Sequence, residues 1–390
     1  MDRKFNLNAY ADWTRNGRTL RGLLAPIRGR GLKRTNLSDI DDNGLRLLYS
    51  FLQHGRIDIR RLRNQEITVL KKWGLIVDRS RLSRRLHFEA PRLGSGRIHA
   101  IQSRRVWFSS QVYFSIDHRW VGKKPALDVP LGLRGKGYRV WVGDRETGIV
   151  MPYKSDKRLF NALRSLKHGW NSRDFVKDLG LNRKNIFDLG ILCEGFERQD
   201  ESNMTSARIK KLRLALRRQG YLYLPKLISD DHLRALQSYY RELVAQGWVE
   251  PRCAQVPLRM RLHDEPIARY IHKQLAAHLS LIIGEPWKAS YCYWAKYKAG
   301  SELKKHTDRK QCAITISFLV NFSPSVDRKS GWPLRLHLPR KTVSLKLRNG
   351  EAVAFAGTKI PHSRPRLGRR RTSTNIFFHF VEKTFRGNLE

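Results

Sequence analysis

The chain has few cysteines and no long apolar runs. Only 4 of its 390 residues are cysteine, and none forms a CxxC pair, which argues against a disulfide framework and against a zinc ribbon. The N-terminus, Met1–Phe5, leads into polar sequence without the apolar core of a signal peptide. No run of about 18 apolar residues is present, so no transmembrane helix is predicted. We therefore expect a cytoplasmic protein with no membrane partner.

Acidic residues are also scarce. The chain carries 34 Asp and Glu against 77 Lys and Arg, a formal net charge of +43. A field of this sign attracts polyanions such as nucleic acid or acidic peptides. The basic residues are dispersed along the chain, however, and a solvated Arg-rich surface explains them equally well. The net charge therefore makes nucleic acid a candidate partner, but it does not establish that the protein binds one.

The length and the apolar content predict a folded chain of more than one domain. Hydrophobic residues make up 41% of the sequence and aromatic residues 10%, as in globular proteins. A chain of 390 residues is long enough for two or three domains. We divide it into a first module at 1–100, a strand-rich connector with a second module at 101–197, a polar linker at 198–207 and a C-terminal domain at 208–390.

The first module reads as short helices followed by extended structure. Apolar residues at helical spacing end at His54-Gly55, and a further short helix ends at Gly74. Leu75–Val77 then begins a predicted strand, and the alternation at 85–88 predicts a returning strand.

A similar pattern recurs in the second module. Two predicted strands within 138–153 form a hairpin, and a helix carrying Leu159 and Leu163 ends at His168-Gly169. Gly190–Leu192 corresponds to the segment after Gly74 in the first module. The hypothesis is that one helical unit ending in a wing occurs twice.

This pattern resembles the small winged-helix peptide-binding modules of ribosomal-peptide-modifying enzymes. The resemblance implies that a hairpin edge and a helix hold a peptide by strand addition, and hence that a peptide or protein is the substrate. Two alternatives stay open: a winged helix that binds nucleic acid, and one that only packs against the next domain.

The C-terminal region contains the residues that suggest chemistry. In His306-Thr307-Asp308 the His and the Asp are two residues apart, so on a strand or at its end they point to one side. A further candidate ligand, His362, follows the buried strand and turn predicted at 351–357. Two imidazoles and one carboxylate on one face of an iron ion leave three positions open, as an oxo acid and dioxygen require. Arg371 follows nine residues after His362, and a guanidinium can bind a carboxylate through two hydrogen bonds.

The order of HxD, a His some fifty residues later and an Arg about ten further on resembles the 2-oxoglutarate/Fe(II) dioxygenases, in particular the prolyl-hydroxylase-like branch. The predicted strand at 220–229 and the helix after it, which carries Leu233 and Leu236, match the entry to that fold. The resemblance covers residues 208–382. It implies an α+β multidomain chain: a C-terminal double-stranded β-helix (jelly-roll) oxygenase core, preceded by two small winged-helix-like α/β modules.

The resemblance also implies the cofactors and their ligands. Fe(II) would be held by His306, Asp308 and His362, with 2-oxoglutarate and O2 as co-substrates and ascorbate as a further candidate. Arg371 would bind the distal carboxylate of 2-oxoglutarate, with Ser373 or Tyr297 donating further hydrogen bonds to it. The neighbouring arginines at 369 and 370 are rivals for the role of Arg371.

The expected reaction is hydroxylation of a C–H bond on a peptide or protein side chain. Desaturation, ring closure and demethylation use the same kind of site. A nucleic-acid oxygenase or demethylase, an amino-acid or other small-metabolite hydroxylase, and a binding protein that has lost activity are the alternatives. The oligomeric state does not follow from the sequence.

Three other residues carry structural expectations. His379, in an apolar strand, is expected in the core or the pocket rather than as a ligand, and His337 is expected to face solvent. Trp332 stands where the family often has a Gly-Gly turn, and we expect it to narrow the pocket mouth.

Overall fold

A computed structural model describes the C-terminal half of the chain and parts of the N-terminal half. The described residues are 3–5, 19–20, 35–36, 76–78, 107–108, 112–116, 138–165, 192–193, 206–245, 249, 255–324 and 331–389. Among them, no helix combines the length and the apolar character needed to cross a membrane.

The described N-terminal elements are short strands and one helix, α1 (Lys157–Ser165). The strands are β1 (Arg3–Phe5), β2 (Thr19–Leu20), β3 (Thr35–Asn36), β4 (Ile76–Asp78), β5 (Trp107–Phe108), β6 (Val112–Ser115), β7 (Arg139–Asp144), β8 (Val150–Lys154) and β9 (Leu192–Cys193). Antiparallel pairs join β1 to β4, β2 to β3 and β5 to β9, and β6, β7 and β8 form one antiparallel sheet.

These elements test only part of the N-terminal expectations. The strand predicted at Leu75–Val77 is confirmed as β4, and the hairpin predicted within 138–153 is confirmed as β7 and β8. The predicted helices before Gly74, the returning strand at 85–88 and the segment around His168-Gly169 lie outside the described residues. The two winged-helix-like modules therefore remain a hypothesis.

The β7–β8 hairpin packs against a helix of the C-terminal half. The side chain of Gln274 accepts a 2.8 Å hydrogen bond from the Val150 N–H and donates a 2.9 Å bond to the Val150 carbonyl. Trp141 lies 5.2 Å from Tyr270 between ring centroids. Hairpin and C-terminal helices belong to one buried apolar cluster, so the hairpin shares the core of the C-terminal half.

The C-terminal half contains helices α2 (Ser206–Gln219), α3 (Asp230–Ala245) and α4 (Pro266–Ile283), and a 3-10 turn at Lys310–Cys312. Its strands are β10 (Tyr221–Leu224), β11 (Arg259–His263), β12 (Trp287–Lys298), β13 (Leu303–His306), β14 (Ile314–Ser323), β15 (Leu334–Leu338), β16 (Lys341–Leu345), β17 (Ala352–Phe355), β18 (His362–Arg364) and β19 (Thr372–Glu382).

Local sequence explains where α4 begins and ends. The Glu265 carboxylate accepts hydrogen bonds from the N–H groups of Ile267 and Ala268, which caps the helix, and Pro266 occupies the first turn. At the other end Gly284 takes a positive φ of 93°, a conformation that glycine adopts without strain.

Two antiparallel sheets form the C-terminal fold. The larger has the order β10-β17-β14-β19-β12-β11 and the smaller β13-β18-β15-β16. Counted from β12, the first, third, sixth and eighth strands lie in the larger sheet, and the second, fourth, fifth and seventh in the smaller one. This alternation is that of a jelly roll, so the predicted double-stranded β-helix is confirmed for this region.

The first half of β14 directs apolar side chains to one face of the larger sheet and hydroxyls to the other. On β14, Ile316 and Phe318 belong to the apolar cluster that includes the helices, while Thr315 and Ser317 point the other way and bond to groups between the sheets. Period-two alternation requires this division. The space between the sheets thus contains these hydroxyls beside apolar side chains such as Val353 and Phe355, and the candidate site lies there.

Candidate active site

Strand pairing brings the two predicted histidine ligands together. His306 at the end of β13 lies opposite His362 at the start of β18 in the antiparallel register, and their ring centroids are 4.3 Å apart. Asp308 follows two residues after His306, and its N–H donates a 2.9 Å hydrogen bond to the Gly357 carbonyl. The predicted convergence of these three residues is therefore present in the structure.

Backbone carbonyls orient both imidazoles. His306 Nδ1 lies 2.8 Å from the Lys304 carbonyl oxygen, and His362 Nδ1 lies 3.0 Å from the Ile360 carbonyl oxygen. Because a carbonyl only accepts, each Nδ1 carries the proton and each Nε2 presents a lone pair. This is the tautomer that a metal ligand needs, fixed by a partner on the other ring nitrogen.

The ligand atoms converge on one carboxylate oxygen. His306 Nε2 lies 3.8 Å from Asp308 Oδ1, and His362 Nε2 lies 3.6 Å from the same atom. All three ligand atoms are within 4.8 Å of one another. Two atoms that bind one ion at about 2.1 Å lie at most about 4.2 Å apart, and both His–Asp distances meet that limit. Burial lowers the pKa of His362, which favours the neutral imidazole. The donor set fits Fe(II), because two imidazoles and one carboxylate leave open positions.

The Thr315 hydroxyl holds the outer oxygen of the carboxylate, and His379 bonds to that hydroxyl. Asp308 Oδ2 accepts a 2.6 Å hydrogen bond from the Thr315 hydroxyl, whose oxygen lies 3.0 Å from His379 Nδ1. The Thr315 proton is committed to Asp308, so His379 donates from Nδ1. Burial lowers the pKa of His379 to about 4. His379 was expected in the core or the pocket, and the structure places it beside the metal-ligand carboxylate.

A second set of ligating groups shares Asp308. Asp308, Cys312 and His379 also offer atoms within 4.8 Å of one another. Burial raises the pKa of the Cys312 thiol to about 12, and its sulfur lies 3.1 Å from the Tyr291 hydroxyl. A metal ligand must be a thiolate. The set of His306, Asp308 and His362 therefore suits a metal ion better.

The three residues predicted for the co-substrate lie around the start of β19. Tyr297 and Ser373 are opposite each other across β12 and β19, and both are buried. The Tyr297 hydroxyl accepts a 3.3 Å hydrogen bond from Arg259. Arg371 lies one residue before β19 and is half-buried, and the rival arginines at 369 and 370 are exposed.

Sequence reasoning missed Arg364, which lies two residues after His362 on β18. Its guanidinium donates to the Trp332 carbonyl and to the Ser317 hydroxyl, at 3.2 Å each. Arg364 is 3% exposed, and its Nε has no hydrogen-bond partner. The available signal was period-two alternation, which puts residues 362 and 364 on one face of a strand.

Trp332 lies at the Arg364 side of the cavity. It is buried, its indole N–H donates to the Pro365 carbonyl at 2.6 Å, and its ring lies 4.9 Å from the Arg364 guanidinium carbon. The ring also meets Tyr297 edge-on, with centroids 5.0 Å apart. The ring is thus packed between these two side chains, and whether it narrows the pocket mouth stays a prediction.

Exposed cations flank the candidate metal ligands. They lie in the middle of β13, directly after Asp308 and in the turn before His362. The five are Lys304, Lys305, Arg309, Lys310 and Lys359.

Comparisons with known proteins give structural likenesses only. No family model matches the chain, and no curated protein matches it. The solved structures include the non-heme alpha-ketoglutarate-dependent epimerase SnoN from nogalamycin biosynthesis, at 16% identity and a TM-score of 0.39, over 46% of this chain and 84% of that one.

A prolyl-4-hydroxylase of Pseudomonas putida matches at 20% identity and a TM-score of 0.36, over 44% of this chain and 98% of that chain. HygX of Streptomyces hygroscopicus, solved with nickel and 2-oxoglutarate bound, matches at 11% identity and a TM-score of 0.37, over 45% and 87%. Because these TM-scores are below 0.5, the fold assignment rests on the strand order and the chemical assignment on the site.

Proposed function

We propose that the chain is an Fe(II)- and 2-oxoglutarate-dependent oxygenase that hydroxylates a C–H bond. One observation carries the proposal: between the two sheets of a jelly roll, two Nε2 atoms and one carboxylate oxygen converge within 4.8 Å. His306, Asp308 and His362 would hold the metal, each already oriented by a hydrogen bond to its other polar atom.

When bound, Fe(II) with 2-oxoglutarate and dioxygen supplies the oxidation of a substrate C–H to an alcohol, with succinate and CO2 as the other products. The protein's own part is to fix the ligands, to hold the co-substrate and to exclude water. Buried aromatic rings pack against these groups: Phe355 lies edge-on to His362 at 4.8 Å, and Tyr291 lies 4.6 Å from His379.

Arginine is the residue that best binds the distal carboxylate of the co-substrate, because its guanidinium can donate two parallel hydrogen bonds. The family resemblance implies Arg371 for this role, with Ser373 or Tyr297 beside it. Arg364 is a second cation in this region, since the Trp332 ring packs against both Arg364 and Tyr297.

The test begins with metal binding by the anaerobic full-length protein. We expect one Fe(II) per chain, and succinate formation from 2-oxoglutarate under air. His306→Ala and Asp308→Ala should each abolish both. His337→Ala is the matched control, because His337 bonds to Thr342 and Ser363 away from the metal ligands. Stoichiometric binding that survives both ligand substitutions would refute the site.

We propose a peptide or protein side chain as the substrate. The support is the resemblance of the N-terminal half to peptide-binding modules, which implies recruitment by strand addition. The β8 edge is closed to such a strand at Val150, because Gln274 bonds to both its N–H and its carbonyl. Any added strand must therefore use another edge.

The exposed cations around the metal ligands favour a second candidate, a nucleic-acid-directed oxygenase or demethylase. Lys304 and Lys305 precede His306 directly, and the whole chain carries a net charge of +43. Lysines on the approach to a site attract phosphates.

Stimulated co-substrate turnover separates the two substrate classes. Succinate formation would be measured with an acidic peptide library and with single- and double-stranded oligonucleotides. A nucleic-acid substrate predicts an affinity that falls steeply with added salt and weakens in Lys304→Ala/Lys305→Ala. Stimulation by peptides, unchanged in that double variant, would favour the peptide proposal.

A further inference from the structure

Arg364 is a buried cation without a carboxylate partner among the described residues. Its guanidinium donates to one backbone carbonyl and one hydroxyl, and its Nε is unsatisfied. An arginine guanidinium stays charged at neutral pH. A buried charge without a counter-charge is unfavourable, so a residue of this kind is stabilised when an anion binds beside it.

The position of Arg364 relates it directly to the candidate metal ligands. On β18 it follows His362 by two residues, and on β14 its partner Ser317 follows Thr315 by two. Thr315 bonds to Asp308, and Ser317 bonds to Arg364. The two contacts are thus separated by one step of the pleat, roughly 6–7 Å. That spacing is about the length of a five-carbon chain.

The surroundings of Arg364 suit a carboxylate. The Trp332 ring covers one face of the guanidinium at 4.9 Å, which removes water from that side. Asn375, on the same face of β19 as Ser373, is fully buried and donates to the Ser373 hydroxyl at 2.8 Å, while its own carbonyl oxygen is unsatisfied. The Arg364 Nε and the Asn375 carbonyl oxygen are thus two buried polar atoms available to a polar ligand.

Arg371 is less buried than Arg364. It precedes β19, its N–H bonds to the Gly368 carbonyl at 3.3 Å, and it is half-buried, whereas Arg364 is 3% exposed. A charged hydrogen bond is stronger where water is excluded.

We infer that Arg364, on the strand of a metal ligand, holds the distal carboxylate of the dicarboxylate co-substrate, and that Arg371 at the start of the last strand is secondary. This inference rests on the proposed function. Both ends of the co-substrate would then meet residues of β18, the metal held by His362 at one end and the Arg364 guanidinium at the other.

The test compares two ligands of equal chain length. 2-Oxopentanoate has a methyl group in place of the distal carboxylate of 2-oxoglutarate. Their affinities for the Mn(II)-loaded full-length protein would be measured by calorimetry, without turnover. We expect the wild type to prefer 2-oxoglutarate by about 10–100-fold, the usual effect of a charged hydrogen bond.

In Arg364→Gln this preference should fall to near unity through loss of 2-oxoglutarate binding alone, and Arg364→Lys should restore part of it. In Arg371→Gln most of the preference should remain. A larger loss of preference in Arg371→Gln than in Arg364→Gln overturns the inference. A wild type that binds Mn(II) but neither ligand, or no metal at all, counts instead against the proposed function.

A stability measurement separates binding from folding. Arg364→Met removes the charge and keeps an unbranched side chain, so the ligand-free variant should unfold at the same temperature as the wild type or higher. The rise in Tm that 2-oxoglutarate gives the Mn(II)-loaded wild type should be absent in the variant. A Tm lower by more than about 5 °C without ligand would assign Arg364 to the folding of the barrel and overturn the inference.

Discussion

The Thr315 hydroxyl lies 2.6 Å from Asp308 Oδ2, the carboxylate oxygen farther from the two imidazoles. The other oxygen, Oδ1, is the atom that His306 Nε2 and His362 Nε2 approach. The protein therefore binds one oxygen of the Asp308 carboxylate through Thr315, and the other oxygen is available to a metal ion. Single-oxygen ligation by Asp308 preserves an open position on the ion.

Removing this hydroxyl should weaken the metal site. In Thr315→Val the outer oxygen loses its donor and the carboxylate can rotate, so we expect a 10–100-fold loss of metal affinity. Thr315→Ser keeps the hydroxyl and should remain within a few-fold of the wild type. Competition with a chelator, followed for Mn(II), gives both values. Equal affinities in the wild type and Thr315→Val would show that Thr315 does not orient Asp308.

Gly357 should tolerate no side chain. A Cβ added there would lie closer than 3.0 Å to Asp308 Oδ2, to the Cys312 carbonyl and to the Thr315 hydroxyl. Gly357→Ala must push Asp308 out of place, so we expect metal affinity to fall at least tenfold and stability to drop by about 1–3 kcal/mol.

Gly368→Ala is the matched control for Gly357→Ala. The nearest atom to its added Cβ is Arg371 Cδ at 3.5 Å, an ordinary contact. Metal titration and urea unfolding of the two alanine variants test the difference. Similar metal affinities in both would contradict the steric argument.

The contact between Gln274 and Val150 should contribute strongly to stability. Gln274→Ala leaves a buried N–H and a buried carbonyl of Val150 unpaired, and each costs about 1–3 kcal/mol. Gln237→Ala is the control, because Gln237 makes one bond, to the Val320 carbonyl, from a half-buried position. Urea unfolding should show the larger loss for Gln274→Ala, and equal losses would mean that the hairpin is held by apolar packing alone.

Stability should fall in mild acid because of His272. Burial, and then the charge of Arg269, hold the pKa of His272 well below its usual range. The unfolded chain then binds a proton that the folded chain does not. The contribution of neutral His272 to the free energy of unfolding is fully present above about pH 6.5. Below that pH it decreases by about 1.4 kcal/mol per pH unit. Urea midpoints from pH 7.5 to 5 should fall less steeply in His272→Gln, and parallel curves would refute this assignment.

The metal ligands could be predicted because their spacing is local. His306 and Asp308 are two residues apart, and His362 follows a buried strand that is recognisable from its apolar run. The apolar strands β14, β17 and β19 were recognisable for the same reason. The jelly roll itself was implied by the resemblance to the 2-oxoglutarate/Fe(II) dioxygenases, which these residues support.

Arg364 was missed because its burial depends on long-range contacts that the sequence does not show. An Arg in an Arg-rich stretch reads as exposed, and only the packing of Trp332 and Ser317 reveals that it is buried. The docking of the β7–β8 hairpin was missed similarly, since Gln274 and Val150 are 124 residues apart. Long-range pairs of this kind leave no periodic signal in the sequence.

In the proposed site, the three-residue strand β18 would make metal binding and anion binding depend on one alignment. His362 and Arg364 alternate with Ser363, whose hydroxyl faces His337 on the other side of the smaller sheet. A slip of β18 by a single residue would turn both functional side chains outward together. Mutations that loosen its pairing with β13 or β15 should therefore impair both ligands in parallel, whereas a change confined to one side chain impairs only one.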